Sequence, residues 1–500
     1  MLNPETFTWT AEQEQVFTFG VDKPEENLII NALAGSAKST TLVELVRRTF
    51  AANLYTSALI LAFNKRIADE MNAKELPAGA VAQTLNSLGY RALRSLVRKL
   101  GRPDPRKRGD LLRKRIDRHR NTQEIEWLNG NYMDLLDAVR LAPNVGWVPN
   151  SKYPAARSLI ELDDDFFQAA GDKVNIELPS FAQDVIRDVH CASIDAVFKE
   201  GHADFDDQIF IPTLWPASFP RYQLILGDEA QDFSPLQHEM LRKVVGRSRF
   251  IAVGDAYQAI YAFRGADESS MRNLQTMFNM MPLTLSTSFR CPREVADHVS
   301  WRAPFIQSPD WAIQGEVNYL AEWDHSVVED GSVIICRNNA PLFNTALRFL
   351  REGRRPQIIG NDIIKGLIRD LSDLSRDKSI PQNEVIRLLE VWKNRQKAKY
   401  KNHKRLEDRF ECLNLFVNEA EDLKGAIEAA KKVEAMRGSV TFITGHKAKG
   451  QEWESVFFLD HHLCKEGQGQ EDNLRYVICT RAKRSLTYVD SKSFVSGDEK

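Results

Sequence analysis

Seven short apolar runs constrain this chain more than any other feature. "NLIINAL", "SALILAF", "YQLILGD" and "RFIAVGD" lie in its first half, and "GSVIICR", "VTFITGH" and "VFFLD" in its second. Each is nearly continuous in Val, Ile, Leu or Phe, and most end at a small or acidic residue. A strand with one wet face alternates apolar and polar residues. A continuous run instead needs cover on both faces, as in a parallel sheet wrapped by helices. The longer helical patterns between the runs supply that cover, so the expected fold class is α/β with doubly wound parallel sheets. A chain of 500 residues is too long for a single compact core, and two are expected.

Two segments break the rhythm. Residues 94–190 are helical, polar and basic, with proline-rich breaks ("GRPDPRKRG", "LAPNVGWVPN"), and residues 361–431 are charged and helix-periodic. Each is expected as a mainly helical insertion. The first core then comprises 1–93 and 191–280, and the second 281–360 and 432–500. No internal repeat or low-complexity tract interrupts the pattern.

Composition narrows the function classes. A net charge of −2 does not draw the whole molecule to a polyanion, yet residues 91–120 carry thirteen Lys/Arg against three Asp, and 393–409 is similarly basic. Each run is either a solvated helix face or a local contact with phosphates. The six cysteines are scattered, with no Cys-x-x-Cys pair, which argues for a reduced compartment and against a disulfide framework or a zinc site. No apolar run approaches the ~20 residues of a membrane span. The start "MLNPETFTWT" has no signal core. The expectation is a cytoplasmic protein with no membrane partner.

The chemistry begins at "NALAGSAKST", residues 31–40. It has the frame of a phosphate-binding loop, with Ala32 and Ala37 in place of both outer glycines. Backbone N–H groups of Ala34, Gly35, Ser36 and Ala37, and the helix start at Lys38, Ser39 and Thr40, are expected to surround phosphate oxygens. Lys38 adds charge at the β- and γ-phosphates, and the Ser39 hydroxyl binds Mg²⁺. Alanine removes positive-φ freedom but not N–H donors.

Downstream, "LILGDEAQD" ends an apolar strand in Asp228 and Glu229. Asp228 is expected to hold Mg²⁺ and Glu229 to activate the attacking water. In "FIAVGDAYQAIYAFRGAD", Gln258 is placed to sense a γ-phosphate. Tyr261 and Phe263, two apart and followed by Arg264, share a face if extended. They suit either the stacking of unpaired bases or the core. Arg290 in "LSTSFRCP" and Arg481, after a strand-like run in "NLRYVICTRAKRSL", are candidates to stabilise phosphoryl-transfer charge.

The set and order of these motifs resemble the UvrD/Rep/PcrA group of superfamily 1 DNA helicases. "GDEAQD", "VGDAYQAIYAFRGAD", "TGHKAKGQEW" and "EDNLRYVICTRAK" carry the match across both cores, and "LAFNKRIADEM" followed by "AQTLNSLGYRAL" is nearest to the short phage and F-box branch. The resemblance implies two RecA-like cores, ATP and Mg²⁺ as cofactors, and single-stranded DNA and single/double-strand junctions as partners, with a replication or repair protein beside them. It implies that Gln13 reads the adenine edge, that Phe289 stacks on the base and that Glu452 lies near the ribose. Gln258 would couple to the γ-phosphate, which Arg290 and Arg481 would reach from the second core. Phe63, Asn64, Ser87, Tyr261, Phe263, Arg264 and His446 would contact single-stranded DNA. Asp206 and Asp207 in "DFDDQIF" resemble the acidic element ahead of the Asp228 strand.

Departures from the pattern are Asn86 where histidine is commoner, Phe263 for tryptophan, Thr40 where relatives often place an adenine-stacking arginine, the two loop alanines, and a much shorter second insertion. The implied activity is ATP-driven 3′→5′ movement on single-stranded DNA with strand separation. The alternative is an ATP-gated single-stranded DNA-binding or recruitment protein with little unwinding. A nuclease combined with the helicase is disfavoured, because few residues follow the Arg481 motif. RNA is a less favoured substrate.

Overall fold

The computed structural model describes residues 8–74, 76–149, 151–261, 269–400 and 403–495. The chain divides into two compact units, Met1–Ala32 with Ala37–Leu285, and Leu33–Ser36 with Ser286–Lys500.

In the first unit the described residues form a six-stranded sheet from β1 (Leu28–Ala32), β2 (Ala58–Ala62), β3 (Ala80–Thr84), β4 (Leu224–Gly227), β5 (Arg249–Gly254) and β6 (Met281–Leu285), in the order β3-β2-β4-β5-β1-β6. Every neighbouring pair is parallel. Successive side chains point to opposite faces. Leu28, Ile30, Ile60, Leu226 and Val253 pack with Phe17, Leu42 and Val46 on one side. Ile29, Leu59, Leu61, Ile225 and Ala252 pack with Leu88, Ile194 and Phe210 on the other. Both faces are therefore dry, which is why the strands read as unbroken apolar runs.

The second unit repeats the plan with β7 (Glu316–Tyr319), β8 (Val333–Cys336), β9 (Pro356–Ile359), β10 (Val440–Thr444), β11 (Trp453–Leu459) and β12 (Ala482–Val489), ordered β7-β12-β11-β8-β10-β9 and parallel throughout. The apolar runs of the sequence are β1, β2, β4, β5, β8, β10 and β11. The four edge strands β3, β6, β7 and β9 lacked such a run, because an edge strand is only partly covered.

Several expected boundaries move. Strand β6 pairs with β1, so residues 281–285 complete the first sheet, and the second unit's long segment starts at Ser286. The boundary at 190/191 falls inside the continuous helix Ser180–Glu200, which packs on helices Lys107–Asp117 and Tyr132–Val145 and also sends Ile194 and Val197 into the sheet's core. The boundary at 431/432 likewise falls inside helix Leu423–Ala435. The strand-like "YVIC" lies in helix Gly469–Cys479, and the strand begins only at Ala482.

The segment 361–431 packs directly on the second sheet. Helices Asn361–Leu374, Gln382–Lys399, Lys404–Asn418 and Leu423–Ala435 bury Leu367, Leu389, Phe416 and Ile427 in the same cluster as Ile334 and Phe442 of the sheet. Its basic stretch is partly paired: Lys393 lies 3.7 Å from the Phe410 ring centroid and Arg409 lies 2.5 Å from Asp370. Residues 401 and 402 fall outside the described residues.

Most of the basic run at 91–120 is exposed, including Arg91, Arg94, Arg98 and Arg102. Lys114, Arg118 and Arg120 line a cavity of about 800 Å³, in which Arg115 pairs with Asp188 at 2.8 Å. Lys107 and Arg108 are instead buried. Lys107 Nζ lies 2.5 Å from Asp207 Oδ2 and donates to the Ser193 carbonyl at 2.8 Å. Arg108 lies 2.7 Å from Asp204 and 3.0 Å from Asp207. The two aspartates also accept each other's backbone N–H, at 2.8 and 2.9 Å. Burial pushes the Asp207 carboxyl up to about 6 and the Lys107 amine down, while the opposite charges work against both shifts. This cluster ties the helical insertion to the segment ahead of β4, and Asp206 stands 3.7 Å from Arg108.

Removing one partner from a buried ion pair leaves an uncompensated charge, at about 3–5 kcal/mol. Asp207→Ala is expected to lower the unfolding free energy by that amount in chemical denaturation. A change below about 0.5 kcal/mol, the scale of an ordinary surface substitution, would show that the cluster does not hold the insertion.

Candidate nucleotide and nucleic-acid sites

The loop after β1 separates the two alanines that stand in place of glycine. Ala32 is a strand residue opposite Leu285 of β6 and is not a positive-φ position, so nothing is lost there. Ala37 does adopt the left-handed conformation, with φ 58° and ψ 37°, at a cost of about 1–2 kcal/mol for a residue with a Cβ. Gly35 also has a positive φ, 77°. The loop tip Leu33–Ser36 divides with the second unit. There the Gly35 carbonyl accepts from the Phe289 N–H at 2.9 Å, and a Cβ on Gly35 would fall 2.5 Å from Ser288 Oγ. The Ala34 N–H donates to the Tyr476 hydroxyl at 3.0 Å.

Helix Lys38–Ala51 starts at Ala37 without a side-chain cap. Ser36 Oγ is buried with no hydrogen-bond partner among the described residues. Uncapped helix N–H groups and the Lys38 amine together fit a phosphate group. Ser39 Oγ donates to Asp228 Oδ2 at 3.0 Å, and Lys38 Nζ lies 3.7 Å from Glu229 Oε1. Two hard oxygens this close fit Mg²⁺. Burial, reinforced by the Glu229 charge, pushes the Asp228 carboxyl up to about 6, and Lys38 and Ser39 oppose the rise. A divalent cation would favour the ionised form further. Glu229 itself is left-handed, with φ 52°, a strained setting of the kind that collects at functional sites.

Gln258 donates from Nε2 to Asp255 Oδ2 at 2.6 Å, and the Asp255 N–H donates to Gln231 Oε1 at 3.0 Å. Gln231 and Asp255 were missed in the sequence. The available sign was a polar residue directly behind a buried strand, in "GDEAQD" and "VGD". Gln13 forms a capping box with Thr10, and its Nε2 donates to Thr41 Oγ1 at 3.0 Å. Thr41 Oγ1 in turn donates to the Ala37 carbonyl at 3.1 Å, so Gln13 is tied to the loop. Thr40 is exposed.

In the second unit, Arg290 Nε lies 2.7 Å from Glu452 Oε2, bringing two expected site residues together and holding the Glu452 carboxyl below its usual range against the effect of burial. Arg481 is buried, and its guanidinium donates to the carbonyls of Val477 at 2.8 Å and Gln451 at 3.1 Å. Trp311, which no motif flagged, is exposed and stacks on Phe289 with ring centroids 6.3 Å apart. His446 is half-buried in the short helix Gly445–Ala448.

The expected nucleic-acid residues of the first unit follow the carboxyl ends of β2, β3 and β5. Phe63 is exposed and stacks on Tyr261, with centroids 6.1 Å apart and planes 7° from parallel. Asn64 caps helix Lys65–Asn72 by accepting from the Ile67 N–H at 3.0 Å. Ser87 is exposed in the first turn of helix Leu85–Leu93, while Asn86 donates to the Phe205 carbonyl at 2.8 Å. Phe263 and Arg264 lie outside the described residues.

The profile of the UvrD/REP helicase N-terminal domain matches residues 9–279, and that of the UvrD-like helicase C-terminal domain matches residues 439–489. The F-box DNA helicase protein 1 of Schizosaccharomyces pombe is 22% identical over 540 residues, covering 98% of this chain and 58% of the relative. The F-box DNA helicase 1 of Gallus gallus is 24% identical over 526 residues, covering 95% and 48%. The ATP-dependent DNA helicase Rep of Escherichia coli is 41% identical over 91 residues, 15% of this chain and 13% of Rep. The chain thus spans about half the length of the F-box relatives it matches.

Glycine at position 37 would remove the left-handed strain, partly offset by its greater freedom in the unfolded chain. Ala37→Gly is expected to raise the unfolding free energy by about 1 kcal/mol. An unchanged or lower denaturation midpoint would contradict the strained loop.

Proposed function

Because the chain belongs to the UvrD/Rep helicase family, we propose that it is an ATP-dependent DNA translocase that moves 3′→5′ on single-stranded DNA and separates strands as it goes. The observation that carries this reading is the paired arrangement behind β1 and β4: Lys38 against Glu229 at 3.7 Å and Ser39 against Asp228 at 3.0 Å. A cation, a hydroxyl and two carboxylates at the carboxyl edge of one sheet are what nucleoside-triphosphate hydrolysis requires. Ser39 and Asp228 would hold Mg²⁺, which screens the phosphate charge when bound. Lys38 would offset the charge that develops at the β- and γ-phosphates. Glu229 would take the proton of the attacking water. The family resemblance supports further contributions from Gln258, Arg290 and Arg481 at the γ-phosphate, and from Gln13, Phe289 and Glu452 at the nucleoside.

Phe63 and Tyr261 form an exposed pair of parallel rings, a surface suited to unpaired bases. Asn64, Ser87, Phe263, Arg264 and His446 join them in this proposal on the strength of the resemblance. Movement requires that affinity for the strand differ between nucleotide states, because uniform binding shifts no equilibrium. The left-handed Ala37 in the loop favours a second reading, ATP-gated binding with little unwinding. Strand displacement with ATP, compared with a non-hydrolysable analogue, separates the two.

Lys38→Ala and Glu229→Gln are each expected to abolish ATP turnover while single-stranded DNA binding persists; turnover at the wild-type rate in either variant would end the assignment. Phe63→Ala combined with Tyr261→Ala should weaken single-strand binding by about 1–3 kcal/mol per stacked base. Unchanged affinity in a binding titration would return both rings to a packing role.

A further inference from the structure

Gln231 sits in the single turn Ala230–Asp232 behind β4, 1% exposed. Its side-chain amide is engaged at both ends. Nε2 donates to Glu229 Oε2, and Oε1 accepts from the Asp255 N–H at 3.0 Å. Asp255 holds the next turn through Gln258 Nε2 at 2.6 Å and the Tyr257 N–H at 3.0 Å. Three residues beyond Gln258, Tyr261 stacks on Phe63. A connected path within the first unit therefore runs from an exposed aromatic pair to the carboxylate beside Lys38. Gly254 fixes the spacing of that path. A Cβ there would lie 2.5 Å from Gln231 Oε1, 2.7 Å from Met271 Sδ and 3.0 Å from the Gln231 N–H nitrogen. Glycine leaves the amide where it is.

We propose that Gln231 is a positioning residue, through which a nucleic-acid strand seated on Phe63 and Tyr261 orients Glu229 for activation of the attacking water. The inference rests on the functional reading above and adds the link between its two sites. The amide cannot turn without leaving a buried donor or acceptor unsatisfied. A shift of the turn that carries Asp255 therefore moves the Glu229 carboxylate with it. A residue that merely filled space would be indifferent to which end donates.

Glutamate at 231 is close to isosteric. When ionised it keeps an acceptor for the Asp255 N–H, loses the donor to Glu229 and sets a second negative charge beside that carboxylate. The test is ATP hydrolysis by wild type, Gln231→Glu, Gln231→Ala and Gly254→Ala, with and without saturating oligodeoxythymidine, beside thermal melting and strand-binding titrations. With the strand present, all three variants are expected to lose at least about tenfold in kcat, the loss for each 1.4 kcal/mol of transition-state stabilisation removed. KM for ATP and strand affinity should stay within about twofold, because an interaction that acts only in the transition state lowers kcat alone. Gln231→Glu buries a second charge beside Glu229 and is expected to melt a few degrees below the wild type; melting above the assay temperature separates positioning from folding and carries the test if either alanine variant fails to fold. Wild-type kcat in Gln231→Glu would overturn the proposal. So would a raised KM at unchanged kcat, which would make Gln231 a nucleotide-binding residue. Wild-type hydrolysis that ignores the strand would overturn the functional reading itself, and this link with it.

Discussion

Dry cover on both faces of a parallel sheet leaves the strand ends as the place where chemistry can occur. In the first unit, Leu28, Ile30 and Val253 enter one core while Ile29, Leu59 and Ala252 enter the other, so no sheet face remains for a ligand. The residues that carry polar function accordingly appear one or two positions after each strand: the loop behind β1, Phe63 and Asn64 behind β2, Asp228 and Glu229 behind β4, Asp255 behind β5. Parallel pairing brings these ends to one edge, because all the strands point the same way. The arrangement of the candidate site is thus a consequence of how the apolar residues are buried.

Carboxylates close to such cores must be compensated, and the molecule does so in two ways. Asp204 and Asp207 meet buried cations, Lys107 and Arg108, in a cluster far along the chain from the phosphate loop. Asp255 is held by an amide and one backbone N–H, and Asp228 by a hydroxyl, its own neighbour's N–H and the nearby Lys38. Ion pairing fixes geometry firmly. Neutral donors leave a carboxylate whose charge is only partly compensated, which suits a group that must accept a metal ion or move between states.

Legibility in the sequence followed burial. Every interior strand except β12 was readable as an apolar run, whereas β3, β6, β7 and β9 were not, because partial exposure at a sheet edge permits polar residues such as Thr284, Glu316 and Gln357. The helix Gly469–Cys479 was mistaken for a strand at "YVIC", since a short apolar stretch fits either period. Lys38, Glu229, Ser39 and Asp228 could be singled out from local spacing, and the structure brings Lys38 to Glu229 and Ser39 to Asp228. Gln231, Trp311 and the burial of Lys107 were not legible. Each depends on a partner distant in sequence or across a turn, for which spacing gives no sign. The shift of the boundary expected at 190/191 has a physical reason: helix Ser180–Glu200 packs on the insertion and on the sheet's core at once, and composition does not change along it.

The helices between residues 361 and 435 have a consequence of their own. Their apolar stripes form one wall of the interior that holds Ile334, Phe442 and Phe457. Excising them to obtain a smaller unit would wet that interior rather than trim an accessory. Even the connections 375–381 and 419–422 share in that wall, because Ile380 and Ala420 pack on it and the Leu423 N–H donates to the Ile380 carbonyl at 3.1 Å.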